Sequence, residues 1–157
     1  MLILAWLPLV VIVATGVVLY GEWRVRPAKR VAAQAYSWLL PVPASVQASV
    51  LEKLREGGKR SEALAVLAER ADLTSEEAVA VLAGLAAGDE QPAGYADAVR
   101  RLGSRFPELT ARLHVLASSH DRTAAIQLLR QHLGPRLRLI TATSLIDSLI
   151  TVYSRRD

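Results

Sequence analysis

Few residues in this chain combine the type and the spacing that chemistry requires. The three histidines, His114, His120 and His132, lack the four-residue spacing with an acid between them that a helical zinc site needs. They are therefore interpreted as solvated or capping side chains. The sequence contains no cysteine, which excludes disulfides, thiolate metal sites and cysteine nucleophiles.

Two polar runs have the composition of catalytic groups without the required arrangement. Glu76 and Glu77 follow Thr74, and this position indicates first-turn acids that a helix dipole stabilises. Residues 118–121 include serine, histidine and aspartate, but a triad draws its members from separated segments, so a polar loop with an N-cap is favoured. The pair Gly57–Gly58 indicates a turn rather than a phosphate loop. We therefore expect no enzyme activity, no cofactor and no metal, with an enzyme as the less favoured alternative.

The remaining candidates for function are basic side chains. The 157-residue chain has a net charge of +4, divided into +3 over residues 22–40, −3 over residues 51–110 and +4 over residues 111–157. In the last of these segments four arginines form a candidate partner-binding face: Arg122, Arg130, Arg136 and Arg138. An acidic protein is the favoured partner, followed by anionic lipid, and the scarcity of nearby aromatic rings argues against nucleic acid. A solvated face without a partner is the alternative.

The N-terminal run Leu2–Tyr20 contains no charged residue. A helix over this run would span roughly 28 Å, close to the thickness of the hydrocarbon core of a bilayer. A single transmembrane helix is therefore predicted over residues 1–21. A cleaved signal peptide is disfavoured because no basic residue precedes the run, and a buried core helix is the other alternative. The aromatic side chains near the ends of the predicted anchor favour the membrane interface. The predicted anchor residues are Leu2, Trp6, Tyr20 and Trp23.

A basic juxtamembrane segment, residues 22–43, follows the predicted anchor. Its positive charge favours the inner (plasma) membrane with the N-terminus outside and the helical domain in the cytoplasm. Residues 28–40 are predicted either to lie on the lipid headgroups or to extend the anchor helix, and their membership of the helical bundle is left open. Pro41 and Pro43 end the segment. The basic residues are Arg24, Arg26, Lys29 and Arg30.

The rest of the chain shows helical spacing of apolar residues and no convincing strand, which predicts an all-α bundle of short helices. Thr74 and Glu77 form a capping box that opens a helix ended by Gly88. Pro107 begins another helix, and Gly134–Pro135 forces a turn before the last one. The predicted units are a first helical repeat over residues 44–88, a linker over 89–94 and a second helical repeat over 95–157.

The two repeats align at an offset of 62 residues, for example Leu67 on Leu129. The segments GGKRSEALAVLAERADLTSEEAVAVLAGL and DRTAAIQLLRQHLGPRLRLITATSLIDSL resemble the helix-hairpin core of the C-terminal domain of the bacterial ribosomal stalk protein. The resemblance covers about thirty residues in each half and implies a reused helical scaffold. In that family basic residues of the first helix recruit translation GTPases. The matching positions hold Arg60, Ala65 and Ala68 in the first repeat and Arg122, Gln127 and Arg130 in the second.

These observations together predict a non-catalytic, membrane-anchored helical interaction module. Its expected role is that of an accessory or adaptor subunit of a larger membrane assembly. The expected partners are membrane lipid and other proteins of that assembly, and a homo-oligomer is left open. The alternative is a membrane-tethered binder of ribosomes or translation GTPases through the stalk-like hairpins.

Overall fold

The computed structural model describes residues 31–57 and 59–154, and every regular element in this part of the chain is helical. Residues 31–36 are helical and are followed by a 3₁₀ turn at Ser37–Leu39. Seven α-helices come next: α1 Ala44–Arg55, α2 Arg60–Arg70, α3 Ser75–Ala87, α4 Tyr95–Arg105, α5 Pro107–Ser118, α6 Arg122–Leu133 and α7 Leu139–Tyr153. The predicted all-α bundle is confirmed.

Local signals in the sequence place the helix ends. The Thr74 hydroxyl accepts a hydrogen bond from the Glu77 N–H at 3.2 Å, and the Glu77 carboxylate accepts one from the Thr74 N–H at 2.9 Å, so the predicted capping box is confirmed. Helix α3 ends at Gly88, whose φ of +90° favours glycine. Pro107 is the first residue of α5, and Asp121 caps α6 by accepting from a first-turn N–H.

The helices form two three-helix units. Helices α1, α2 and α3 contact one another pairwise, as do α5, α6 and α7, while α4 packs on α5 and α7. A Cβ at Gly103 in α4 would lie 3.1 Å from the Tyr153 hydroxyl, so the glycine allows α4 and α7 to approach closely. The two units therefore share one arrangement, with α4 added to the second.

The inward faces of the two units correspond, although not at one fixed offset. Buried residues in equivalent helices lie 63 residues apart in the first pair, 62 in the second and 64 in the third. The pairs are Val50 with Leu113, Leu67 with Leu129, and Val81 with Leu145. The helices thus keep the same buried faces while the connections between them differ slightly in length.

A bridging segment, residues 33–42, lies between the two units. Its 3₁₀ turn contacts both α3 and α4, and the Val42 N–H donates to the Pro92 carbonyl at 2.8 Å. Five of its side chains are buried: Ala33, Tyr36, Leu39, Leu40 and Val42. Residues assigned from the sequence to a juxtamembrane segment therefore belong to the hydrophobic core.

The predicted fold class is wrong in its transmembrane helix. Among residues 31–57 and 59–154 no helix is long and apolar enough to cross a membrane. Helix α7 has 15 residues, a length of roughly 22 Å against a hydrocarbon core of about 30 Å, and it carries Asp147. The run Leu2–Tyr20 lies outside the described residues. So do the predicted anchor and juxtamembrane side chains: Leu2, Trp6, Tyr20, Trp23, Arg24, Arg26, Lys29 and Arg30.

Candidate interaction groove

Two of the four predicted partner-binding arginines connect α6 to the elements that follow it. Arg122 at the start of α6 forms an ion pair with Asp147 of α7. Arg130 donates from Nε to the Leu137 carbonyl at 3.1 Å and from a terminal nitrogen to the Pro135 carbonyl at 2.7 Å. Both guanidinium groups therefore have a structural role inside the chain.

The other two arginines lie in the turn before α7 and differ in their surroundings. Arg138 donates to the Asp72 carbonyl at 2.6 Å and lies 3.9 Å from a Glu77 carboxylate oxygen, so it links the two units. Arg136 is exposed, and within the described part of the chain it has no ion pair or hydrogen bond. The four arginines thus do not form one free basic face, because three of them are held by contacts within the chain.

A cavity of about 330 Å³ lies beside these arginines, between the bridging segment and α3. In its wall Glu77, only 1% exposed, accepts a hydrogen bond from the Tyr36 hydroxyl at 3.4 Å. Burial, followed by the negative charge of Glu77, raises the pKa of Tyr36 to about 12. The phenol therefore remains protonated at neutral pH and acts as a hydrogen-bond donor rather than as a base.

The three histidines are distributed over separate elements. The His114 ring lies 5.2 Å from the Tyr153 ring, and the His132 ring meets the edge of Phe106 at 4.9 Å. His120 has a φ of +63° at the end of α5. Within residues 31–57 and 59–154 no group of three potential ligands is close enough to hold a metal ion.

An open groove of about 850 Å³ lies where the bridging segment meets α4. Three acidic and three basic side chains line it, so its walls carry opposite charges and little net charge. The lining residues are Ser37, Trp38, Gly84, Gly88, Asp89, Glu90, Gln91, Asp97, Arg100, Arg101, Ser104 and Arg105. Because a groove of this size can accept a peptide segment, it is the strongest candidate functional site in the described chain.

Trp38 and Arg105 form a stacked pair in this groove. The Arg105 guanidinium carbon lies 4.7 Å from the centroid of the Trp38 ring and 5.7 Å from that of Phe106. The Trp38 indole N–H donates to the Ala35 carbonyl at 3.0 Å, which fixes the ring. Arg105 has no acidic partner among the described residues. Its guanidinium is therefore held in place while its N–H groups remain available to a ligand.

The opposite wall of the groove is held by the loop after α3. Arg101 donates to the Glu90 carbonyl at 2.6 Å, and a Cβ at Gly84 would lie 3.3 Å from the Gln91 amide nitrogen. Gln91 is 6% exposed, and its side-chain oxygen is the one buried side-chain polar atom of the described chain without a hydrogen-bond partner. The groove is thus preformed, since both walls are fastened within the fold.

No sequence pattern predicts this groove. Trp38 lies in the predicted juxtamembrane segment and Arg105 in the predicted second repeat, and no periodic pattern connects two residues so far apart in the chain. The only local signal was an aromatic residue in a short apolar segment ended by two prolines, Pro41 and Pro43. Contacts between distant segments create the site, and composition does not reveal them.

The resemblance to the ribosomal stalk domain remains a prediction. Arg122 and Arg130, which the resemblance matches to GTPase-binding positions, are engaged within the chain. Unlike the stalk domain, which alternates such helices with strands, the described residues are helical in every regular element. No family model, curated protein or solved structure matches this chain.

Proposed function

We propose that this protein is a non-catalytic helical interaction module, an adaptor or accessory subunit that docks a partner protein in the groove. The stacked Trp38–Arg105 pair carries this proposal. Tryptophan and arginine are the residue types most enriched at interface hot spots. Because the stack already orders both side chains, binding would cost less side-chain entropy than it would for two free side chains.

The charged side chains that line the groove indicate which residue types the partner segment carries. Arg105 suits a carboxylate, because its planar guanidinium can donate two parallel hydrogen bonds. The carboxylates of Asp89 and Glu90 suit a basic side chain on the same segment. Such a mixed pattern contributes register and specificity more than affinity. The proposed ligand is therefore a protein segment that carries both an acidic and a basic residue.

The proposed place of action is a protein assembly at the inner membrane, with the helical domain in the cytoplasm. This proposal depends on the sequence alone, on the apolar run Leu2–Tyr20 and the basic residues that follow it. Fractionation of cells that express the full chain checks it. We expect the protein in the membrane pellet, and recovery in the soluble fraction would contradict the proposed location.

Site-specific photo-crosslinking in cells tests the docking proposal. The full-length chain carries a photoreactive residue either at Ser104, in the groove, or at Val115, which is 66% exposed on α5 and does not line the groove. Mass spectrometry identifies the captured proteins. We expect one partner to be captured from position 104 and not from position 115. Equal capture from both positions would contradict docking in the groove.

A charge reversal at the stacked arginine completes the test. Arg105→Glu should lower capture at position 104 by about tenfold or more, as expected for a hot-spot residue. The matched control is Arg112→Glu on α5, another exposed arginine that does not line the groove. Arg105 is exposed, so the variant is expected to retain the helical circular dichroism spectrum. Unchanged capture in folded Arg105→Glu would refute the proposed role of the stack.

A further inference from the structure

The cavity between the bridging segment and α3 has two unpaired charges of opposite sign in its wall. One belongs to Glu76, a half-buried side chain in the first turn of α3, and the other to the exposed Arg136 in the turn before α7. Within the described part of the chain neither side chain forms a hydrogen bond or an ion pair, with the other or with any further residue. The cavity therefore presents an acceptor and a donor that the fold itself does not use.

The other two charged residues of the wall are held by contacts within the chain. Glu77 accepts hydrogen bonds from the Thr74 N–H and the Tyr36 hydroxyl, and Arg138 donates to the Asp72 carbonyl at 2.6 Å. Both contribute their charge to the cavity. Their principal hydrogen bonds, however, are already made inside the fold.

The Tyr36 hydroxyl lies close to both unpaired charges. Burial and Glu77 contribute most to its raised pKa, and beyond them Glu76 raises the pKa of Tyr36 while Arg136 lowers it. Because the influence of a charge falls with distance, both side chains lie near the same hydroxyl group. The hydroxyl donates its proton to Glu77, so a lone pair of its oxygen remains free to accept a hydrogen bond. One cavity thus brings together a cation, an anion and a neutral acceptor.

We propose that this cavity binds a small zwitterion of the α-amino acid class, with its carboxylate on Arg136 and its ammonium on Glu76. The planar guanidinium can donate two parallel hydrogen bonds to a carboxylate. An ammonium donates three hydrogen bonds, for which the Glu76 carboxylate and the Tyr36 oxygen are acceptors. The volume of about 330 Å³ is near the lower end for small-molecule pockets, which suits a single amino acid.

The charges of the wall favour a zwitterion over a simple ion. Glu76 and Glu77 repel a small anion, and Arg136 and Arg138 repel a small cation. The four charges cancel, so the cavity attracts neither kind of ion by its net charge. A ligand that carries both charges can place each one beside its opposite.

This inference goes beyond the proposed function and can fail independently of it. The cavity and the groove have no residue in common. A substitution in one leaves the other intact, so loss of amino acid binding and loss of partner capture are separate results.

Nuclear magnetic resonance of the full chain, with ¹³C-labelled tyrosine rings, provides a local test. The probes are the protein amino acids, added one at a time, and Tyr36→Phe identifies the signal of Tyr36. We expect at least one amino acid to shift this signal saturably. Tyr153, at the end of α7 remote from Arg136, is the internal control and should not respond. Absence of a shift with every amino acid, or equal shifts at Tyr36 and Tyr153, would overturn the proposal.

Derivatives of the amino acid that binds most tightly test the need for both charges. Its N-acetyl derivative lacks the ammonium, and its carboxamide lacks the carboxylate. Each should bind about tenfold or more weakly, because each leaves one charged partner in the wall unpaired. Undiminished binding of the N-acetyl derivative would replace the zwitterion with a simple anion, and undiminished binding of the carboxamide would replace it with a cation.

Two variants test the assigned side chains. Arg136→Gln and Glu76→Gln should each weaken binding by about tenfold or more, and both are expected to fold because neither side chain has a partner within the described fold. The matched controls are Arg112→Gln and Glu108→Gln on α5, whose exposed side chains do not line the cavity. Retained affinity in either cavity variant would refute the role of that side chain.

Thermal unfolding supplies a second readout that does not depend on tyrosine signals. A ligand that binds only the folded chain stabilises it, so saturating amino acid should raise the Tm of the natural protein. The increase should be lost at the same ligand concentration in Arg136→Gln and retained in Arg112→Gln. An equal increase in both variants would place the binding outside this cavity.

Discussion

Glu77 is buried at the junction of the two units although it is a carboxylate. It accepts hydrogen bonds from the Thr74 N–H and the Tyr36 hydroxyl, and the Arg138 guanidinium lies 3.9 Å away. A buried charge is tolerated only where such partners replace water. One side chain therefore caps α3 and connects it to both the bridging segment and the turn before α7.

Tyr36 makes this junction sensitive to high pH. Its pKa is raised from an ordinary value of about 10 in the unfolded chain to about 12 in the fold. The contribution to stability is complete below pH about 10 and is lost as the pH rises towards about 12, by on the order of 2–3 kcal/mol. Urea unfolding across this range should show a steeper loss of stability in the natural protein than in Tyr36→Phe.

Comparison of the natural protein with Tyr36→Phe isolates the contribution of this phenol to the pH dependence of stability. Other tyrosines and the lysines titrate in the same pH range in both proteins, so the difference between the two curves belongs to Tyr36. Parallel curves would mean that the phenol is not shielded from water in the fold. At neutral pH we expect Tyr36→Phe to lose no more than about 1 kcal/mol, because the hydrogen bond to Glu77 is long at 3.4 Å.

At the scale of the elements, Arg130 stabilises the connection between α6 and α7. It donates to the Pro135 and Leu137 carbonyls, so Arg130→Ala should lower the free energy of unfolding by about 2 kcal/mol. Arg130→Lys should recover only part of this loss, since one ammonium cannot reproduce the guanidinium geometry. Chemical denaturation provides the measurement. The exposed Arg112→Ala is the control and should change stability by less than about 0.5 kcal/mol.

The opposite result would restore the original interpretation of this side chain. If Arg130→Ala folded with unchanged stability but lost a binding partner, Arg130 would be a recognition residue, as the sequence analysis predicts. If Arg130→Ala lost stability while amide hydrogen exchange between α6 and α7 stayed as slow as in the natural protein, other contacts would maintain the shape of this turn.

Helix ends were predictable because their causes are local. The side chain of Thr74 and the N–H of Glu77 are three residues apart, and Pro107 and Gly88 act through their own backbone conformations. The groove was not predictable by such reasoning. Its stacked pair, Trp38 and Arg105, meets only after the bridging segment has packed against α4.

At the scale of the whole molecule, the bridging segment makes the two units depend on each other. Leu39 is completely buried in it, and its 3₁₀ turn contacts both α3 and α4. Leu39→Ala should lower the free energy of unfolding by about 2–5 kcal/mol. Hydrogen exchange should show the same loss of protection in α2 and in α6. Loss confined to one of these helices would show that the units unfold separately.

The bridging segment has a composition that leaves its position in the fold open. Its apolar and aromatic residues satisfy the composition of an interfacial membrane segment and that of a buried core segment equally well. The neighbouring Leu2–Tyr20 run favours a position on the lipid headgroups or an extension of the predicted anchor helix. Its contacts with α3 and α4 place the segment in the hydrophobic core. These contacts depend on tertiary packing rather than on any local pattern.

The differences in residue offset between the two units indicate which parts of the chain tolerate a change in length. A loop can change in length without moving the helices it joins, whereas one added residue inside a helix would rotate its buried face by about 100°. The α1–α2 loop is such a place, because a Cβ added at the exposed Gly57 would have no neighbour within 4 Å. An affinity tag inserted after Glu56 would leave the groove undisturbed, because none of the residues that line the groove lies in this loop.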